Sequence, residues 1–233
     1  MASTTSGVLA ARHAEPSDLP ALVNVFAKSF HPVSPFMRRA FPDTPIMREW
    51  WKKVHTFAID DPDVRLLIVT DLSSDSIVAL LRYRIHGPSS ADLVVDAGTW
   101  SRVPLSVDHD HELCNAFTDF LAEGRRVFIG GRPHIFVELL ATVHEFKGRG
   151  VGRLLIDTMC READQAGWPC FVETNGAIVK FYEKFGFKTK AMKEMPGSFG
   201  YEEFIMVRPA GLWSLYMCQS SEMIICDVAE FQD

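Results

Sequence analysis

The sequence has few cysteines, no long apolar segment and no excess of positive charge, and each absence excludes a class of protein. Its five cysteines are odd in number and none has Cys-x-x-Cys spacing, which favours reduced thiols over a disulfide scaffold or a zinc site. They are Cys114, Cys160, Cys170, Cys218 and Cys226. Reduced thiols predict a cytoplasmic location, with the nucleus as the alternative.

Neither a membrane nor a nucleic acid is an expected partner. No run of about 18 apolar residues occurs, and residues 1–7 are small and polar, unlike a signal peptide. The net charge of −6 argues against general binding of nucleic acid. The chain has no internal repeat, and its 233 residues are enough to build a substantial core.

Two familiar phosphate-binding motifs are also missing. The P-loop ends in Gly-Lys-Ser or Gly-Lys-Thr, and neither tripeptide occurs here. The dinucleotide fingerprint spaces its glycines one and then two residues apart, whereas Gly148, Gly150 and Gly152 follow at equal steps. The pattern therefore excludes both a P-loop enzyme and a dinucleotide-binding fold.

The segment from His134 to Phe187 carries the strongest pattern of the chain. Residues 134–143 form an apolar, β-branched run typical of a buried strand, and an amphipathic helix follows the three glycines. Glycines before a helix let the backbone approach a ligand, and the first N–H groups of the helix attract a phosphate. Lys147, Arg149 and Arg153 add positive charge around this loop. We expect a phosphate site there.

This segment resembles the acyl-CoA-binding core of the GNAT acetyltransferase superfamily. The family pattern Gln/Arg-x-x-Gly-x-Gly/Ala reads here Lys147 to Gly152, with lysine in the first position. A second block, Asn175 followed by Phe181 to Phe187, matches the family pattern closely. The chain is most similar to fungal members with an Ala-Thr-His-Pro-Glu strand end, although Val143 and His144 replace the His-Pro pair.

The resemblance implies an α/β (α+β) GNAT fold. Its central twisted sheet is mixed but mostly antiparallel, with about seven strands that splay between the fourth and the fifth, and about four helices flank it. Residues 8–207 would form a single domain, and residues 88–132 an insertion between strands 3 and 4. Residues 208–233 have no family counterpart but are apolar enough to dock on a protein surface.

The resemblance also implies that acetyl-CoA is the co-substrate and that no metal is needed. The strand end would bind pantetheine through Leu140, Ala141 and Thr142. The loop would bind pyrophosphate through Lys147, Gly148, Arg149, Gly150, Val151, Gly152 and Arg153. Asn175, Tyr182 and Lys184 complete the predicted cofactor site, with Lys184 near the distal phosphates.

Tyr182 matches the family tyrosine that meets the CoA sulfur, and we expect it to protonate or hydrogen-bond the leaving thiolate. Glu138 is the candidate general base, because it lies in the strand that family members use for this role. An ion pair with an arginine across the sheet is its alternative interpretation. Glu173, His144 and a chain of water molecules are the other candidates for the base.

A metal was considered for residues 108–112, Asp-His-Asp-His-Glu, where alternate residues of a strand would present His109 and His111 together. Asp110 before a helix is, however, an ordinary N-cap, and Glu112 suits the helix dipole. No further ligand motif occurs nearby, so we expect no metal.

The remaining elements follow from periodicity and punctuation. We expect strands at Val8–His13, Val64–Thr70 and Ile77–Ile85, and later at Phe187–Lys190 and Tyr201–Val207 with a turn at 195–197 between them. Helices should span about residues 19–30 and begin at Thr44-Pro45, with an irregular link over 31–43. A helix within the insertion should end at Gly124, and the insertion itself should cover the acceptor side as a lid.

Three function classes remain open at this point. The favoured one is an enzyme that acetylates an amine on a small molecule by direct attack in a ternary complex. The others are a protein N-terminal or lysine acetyltransferase and a sensor that binds acyl-CoA without transferring it. The expected partners are acetyl-CoA and an amine acceptor, and the chain would be a monomer or a homodimer.

Overall fold

The computed structural model describes residues 8–88, 98–195 and 200–211. Seven strands form one sheet: β1 Leu9–His13, β2 Val64–Asp71, β3 Ser76–His86, β4 His134–Thr142, β5 Cys170–Asn175, β6 Lys188–Glu194 and β7 Glu202–Arg208. Their order across the sheet is β1-β2-β3-β4-β5-β7-β6. Only β4 and β5 pair in parallel. The expected mixed, mostly antiparallel sheet is confirmed.

Helices cover both faces of the sheet. Those in the described residues are α1 Leu19–Phe30, α2 Pro35–Ala40, α3 Pro45–Asp60, α4 His111–Phe128, α5 Val151–Ala166 and α6 Val179–Glu183. Helix α5 packs on β3 and β4 through Leu155, Ile156 and Met159. Helices α1 and α3 pack on the opposite face, where α4 also contacts β7.

Two helices begin at the caps that the sequence predicts. Thr44 Oγ1 accepts a hydrogen bond of 3.1 Å from the backbone N–H of Met47, and Pro45 occupies the first position of α3. Asp110 Oδ1 likewise accepts a hydrogen bond of 3.1 Å from Leu113 N–H at the start of α4. Each cap satisfies a backbone donor that the helix itself leaves unpaired.

Two expectations about the helices are wrong. Residues 31–43 contain helix α2, capped by Ser34 Oγ at 3.2 Å from Met37 N, where an irregular link was predicted. Gly124 does not end α4, which continues to Phe128. A Cβ at Gly124 would lie 2.0 Å from Ile205 Cδ1, so glycine serves to bring the helix close to β7.

A bulge in β4 opens the sheet at its centre. In the pairing with β3, Leu139 lies opposite Arg82 and Val137 opposite Tyr83, which leaves Glu138 as the extra residue. Strand β4 then pairs with β5 only over residues 135–137, although β5 continues its pairing with β7 as far as Asn175. The two parallel strands therefore diverge after the bulge and leave a cleft between them.

The described part of the insertion packs against α2 and α3. Trp100, Phe117 and Leu121 belong to a buried cluster that includes Phe36 and Trp51. Trp50 lies in the same cluster and donates from Nε1 to Pro104 O at 3.0 Å. Residues 89–97 of the insertion, the turn at 196–199 and the tail from 212 to 233 lie outside the described residues. In the segments that are described, no helix is long and apolar enough to cross a membrane.

Candidate active site

A cavity of about 1480 Å³ occupies the cleft between β4 and β5 and runs through the sheet from one face to the other. At one end it is lined by the glycine loop and the first turn of α5. At the other end it is lined by aromatic side chains: Phe26, Phe30, Phe36, Phe41, Trp51, Trp100 and Phe117. The cavity therefore has a polar end and an apolar end that meet at the splayed strands.

The glycine loop has the backbone geometry that its sequence predicts. Gly148 and Gly150 adopt φ values of +78° and +81°, which residues with a Cβ rarely adopt. Helix α5 begins directly after Gly150, and no side chain in the described residues caps it. Its first N–H groups are therefore available to an anion, and the helix dipole favours negative charge there. The loop fits a pyrophosphate.

The cationic residues around the loop differ in their contacts. Lys147 lines the cavity and donates from Nζ to the backbone oxygen of Ser29 at 3.2 Å. Arg153 lines it too, in an ion pair of 3.3 Å with Asp157, and Lys184 lies on the same wall. The Arg149 guanidinium lies 4.8 Å from the ring centroid of Phe146.

The end of β4 lines the cleft with two of the three residues that were predicted to bind pantetheine. Leu140 and Thr142 line the cavity, whereas the side chain of Ala141 packs in the cluster beneath α1 and α3. Ala141 can therefore contribute only its backbone to a ligand. The backbone of this strand end is open on its β5 side, because the pairing with β5 stops at Val137.

Tyr182 reaches the cavity from α6. Its side chain is 3% exposed, and its ring contacts Phe181 and Phe187 with centroids 5.3 Å away in each case. Burial raises the pKa of its hydroxyl, so Tyr182 keeps its proton at neutral pH. Asn175 ends β5 and accepts from Ala177 N–H at 3.0 Å, which turns the chain into the loop before α6.

Glu138 is the centre of a buried ion-pair network. Its carboxylate accepts from Arg82 Nε at 2.7 Å, from Arg84 Nε at 3.1 Å and from Thr99 N at 2.9 Å, and its side chain is 0% exposed. Arg84 also pairs with Asp61 at 2.9 Å. With three donors on its oxygens, this carboxylate matches the ion-pair interpretation and ties the insertion to the sheet.

The other candidates for the general base occupy different places. His144 lies on the exposed surface after β4 and does not line the cavity. Glu173 lines the cavity, its Oε1 is buried, and burial raises its pKa well above the usual value.

Among the cavity residues that the sequence analysis did not single out are Tyr201 and Glu203. Glu203 lies in β7 and Tyr201 directly before it, and both line the cavity. A period-two pattern places Glu203 on the same strand face as Ile205 and Val207, and this alternation was the signal that could have identified it.

The segment tested for a metal forms hydrogen bonds instead. His109 Nδ1 accepts from Ser106 N–H at 2.9 Å, and Asp110 caps α4. Across residues 8–88, 98–195 and 200–211, no group of three or more His, Cys, Asp or Glu side chains has the arrangement of a metal site.

Solved structures of acetyltransferases share the fold at low sequence identity. The structure of a mosquito arylalkylamine N-acetyltransferase like 5b is 13% identical in sequence, with a TM-score of 0.60. The alignment covers 87% of this chain and 100% of the mosquito chain. A Corynebacterium glutamicum protein described as histone acetyltransferase HPA2 and related acetyltransferase is 16% identical with a TM-score of 0.57, over 87% and 96%. The Escherichia coli ribosomal-protein-S18-alanine N-acetyltransferase is 13% identical with a TM-score of 0.52, over 93% and 99%.

Part of the sequence matches a family model. No curated protein matches the chain significantly in sequence. Residues 107–189 match the family model of the acetyltransferase (GNAT) domain, which spans the glycine loop, α5, β5 and α6. This partial match and the shared fold together support an acyltransferase of the GNAT type.

Proposed function

We propose that the protein transfers an acetyl group from acetyl-CoA to the amine of a small molecule, by direct attack while both substrates are bound. The observation that carries the proposal is the cleft between β4 and β5, which joins the glycine loop to Tyr182 and to an aromatic chamber. Residues 8–207 act in this proposal as one domain, with residues 208–233 as an extension.

The donor would enter from the side of α5. Its pyrophosphate would lie at the N-terminus of α5, against the backbone of Gly148, Gly150 and Gly152. Its pantetheine arm would follow the open edge of β4 at residues 138–142, where the backbone offers hydrogen bonds that a neighbouring strand would otherwise take. Lys147, Arg153 and Lys184 would neutralise the phosphates.

The reacting thioester would lie where the strands diverge. A backbone N–H of β4 would stabilise the oxyanion, and Tyr182 would give a hydrogen bond or its proton to the departing sulfur. Its raised pKa keeps the hydroxyl protonated until that step. Holding amine and thioester in line contributes on the order of 7–11 kcal/mol in well-oriented reactions, so no covalent acyl-enzyme is needed.

The acceptor would enter from the opposite face. The chamber there is walled by Phe36 of α2, by Phe117 of α4 and by Trp100 in the turn at Thr99–Arg102 of the insertion. A protein acceptor would require an open groove for an extended peptide, so the aromatic walls favour a small molecule. In this arrangement the described part of the insertion forms a wall of the acceptor site.

The test is a screen for CoA release with acetyl-CoA and a panel of amines and peptides, with each product identified by mass spectrometry. We expect acetylation of small amines and no acetylation of peptides. Acetylation of peptide N-termini or lysines alone would overturn the choice of acceptor. Tight binding of acetyl-CoA without transfer to any acceptor would identify a sensor instead.

A further inference from the structure

Two glutamates lie side by side on the acceptor face of the sheet. Glu173 of β5 lies opposite Ile205 of β7, and Glu203 of β7 lies opposite Asn175 of β5. The two positions are therefore diagonal neighbours on one strand face, about 7–8 Å apart at the backbone in such pairs, within reach of long side chains. Both side chains line the cavity.

Each glutamate has a buried oxygen that lacks a hydrogen-bond partner among the described residues. These oxygens are Glu173 Oε1 and Glu203 Oε2, and Glu203 is only 2% exposed. A carboxyl group loses its hydration on burial, and this cost is recovered only if a donor or a cation occupies the site. The orphan oxygens beside an open cavity point to a cationic ligand.

The surroundings of the two carboxyl groups shift the pKa of each one differently. Burial raises the pKa of Glu203 to about 8, and a hydrogen bond from Tyr201 opposes that rise. Burial raises the pKa of Glu173 well above the usual value, and the nearby Glu203 and Glu138 add to the rise. Arg125 of α4 lowers it. Tyr182 of α6 lies near enough for both glutamates to contribute to its raised pKa. The hydrogen bond from Tyr201 favours the carboxylate form of Glu203, and its pKa of about 8 places its ionisation just above neutral pH.

Aromatic rings continue from this pair into the chamber. Tyr201, which hydrogen-bonds Glu203, stacks on Phe36 with centroids 4.0 Å apart and planes 9° apart. Phe36 in turn contacts Phe117 at 5.7 Å, and Trp100 lies next to Phe117 at 5.7 Å. A ligand that fills this space places an apolar body against the rings and its charged end at Glu203.

We propose that the Glu173–Glu203 pair is the amine-recognition and proton-accepting site of the enzyme, and that the acceptor is a primary amine on an aromatic or other apolar body. This inference rests on the function proposed above and names its acceptor class and its base. Glu203, as carboxylate, binds the ammonium group; Glu173, protonated, donates a hydrogen bond within the pair.

The ammonium gives one proton to Glu203, and the neutral nitrogen then attacks the thioester carbon. The C–N bond forms, the C–S bond breaks, and the electron pair leaves on sulfur. The sulfur takes its proton from Tyr182, which recovers one from the nitrogen of the new amide. Glu203 finally releases its proton to solvent, so one proton is released for each amide formed.

The experiment compares wild type with Glu203→Gln, Glu203→Asp and the control Glu194→Gln, which changes an exposed glutamate of β6. Phenethylamine, tyramine and tryptamine are the aromatic acceptors, and spermidine is the polycationic one. The readouts are kcat/KM from pH 6 to 10, and the shift in Tm with acetyl-CoA, which reports folding and donor binding.

We expect wild type to prefer the aromatic amines, with kcat/KM rising through an apparent pKa of about 8, since Glu203 must be ionised to take the proton. Glu203→Gln should lose about 10²-fold or more of kcat/KM. The kcat/KM that remains should keep rising with pH toward the pKa of the amine itself. Its acetyl-CoA shift should be unchanged. Glu203→Asp should retain the step near pH 8, and Glu194→Gln should match wild type.

Three results would overturn the assignment. Equal kcat/KM and equal pH profiles for wild type and Glu203→Gln would remove the pair from catalysis while leaving the acetyl transfer itself intact. A preference for spermidine over all aromatic amines would reject the acceptor class. If wild type binds acetyl-CoA but acetylates no amine, the proposed function fails and the assignment fails with it. If Glu203→Gln misfolds and shows no Tm shift with acetyl-CoA, Glu203→Asp replaces it as the test. A step near pH 8 in its kcat/KM profile supports the assignment, and the absence of that step overturns it.

Discussion

Replacing Glu138 by glutamine separates its two interpretations. In the structure this carboxylate accepts hydrogen bonds from Arg82, Arg84 and the backbone of Thr99, at distances of 2.7 to 3.1 Å. Glutamine has nearly the same shape but carries no charge. Its NH2 group is a donor and cannot accept a hydrogen bond from an arginine N–H as the carboxylate oxygen does. The substitution therefore leaves Arg82 buried without a counter-charge, while Arg84 keeps Asp61.

The expected cost follows from burial. Arg82 and Glu138 have side chains 1% and 0% exposed, and breaking such a pair by removing one partner costs about 3–5 kcal/mol. For a chain of this size, about 1 kcal/mol corresponds to roughly 2–4 °C in melting temperature. We therefore expect the Tm of Glu138→Gln to fall by about 6–20 °C.

Calorimetry and the rate of CoA release at a temperature where both proteins are folded are the assays. Arg82→Gln in the Glu138→Gln background should recover part of the lost stability, because it removes the unpaired buried charge. The exposed Glu194→Gln should leave the Tm within about 1 °C. If Glu138→Gln melts like wild type and kcat falls about 10²-fold or more, Glu138 is the general base and the reasoning is wrong.

Three further predictions concern the catalytic acid, the packing of the insertion and the pH dependence of stability. Tyr182→Phe should lower kcat by about 10²–10⁴-fold without changing acetyl-CoA affinity, because the hydroxyl acts mainly in the transition state; an unchanged kcat would make Tyr182 a packing residue. Gly124→Ala should cost about 1–3 kcal/mol of unfolding free energy in denaturant titrations, since its Cβ would meet Ile205 Cδ1 at 2.0 Å, but should cost less in an Ile205→Val background, which lacks that atom. Burial lowers the pKa values of the stacked residues His86 and His134 to about 3 and about 4, so the unfolded chain binds more protons below about pH 6.5. The Tm should fall as pH is lowered from 6.5 to 4, and a slope unaltered by His134→Gln would contradict this cause.

Much of the fold could be predicted from local patterns. The caps at Thr44 and Asp110 were sufficient to predict where α3 and α4 begin, and the β-branched run at 134–143 was sufficient to predict β4. Each of these signals acts within one element. Helix α2 was missed because the prolines around it suggest a loop, although Pro35 lies in the first turn, where its missing N–H costs nothing. Gly124 suggests a helix end in the sequence, because only the distant Ile205 explains the need for glycine.

The donor side of the site was more predictable than the acceptor side. The proposed donor loop is one continuous segment, so residues 147–153 could be proposed from the sequence through their glycines and their resemblance to the family pattern. The acceptor chamber combines side chains from α1, α2, α3, α4, β5 and β7, which meet only in the folded chain. Glu203 lies next to the exposed Glu202, and its alternation with Ile205 and Val207 is a weak signal that the register of β7 confirms.

The central claim is that the donor binds with its pyrophosphate at the start of α5. Titration calorimetry of acetyl-CoA into wild type, Gly150→Asp and the isosteric but uncharged Gly150→Asn tests it most directly, with the Tm of each free protein as the control for folding. The aspartate puts a negative charge at the N-cap that faces the phosphate, so we predict that Gly150→Asp loses at least about 100-fold in affinity and that Gly150→Asn loses clearly less. Binding of acetyl-CoA to a folded Gly150→Asp protein as tightly as to wild type would contradict this account.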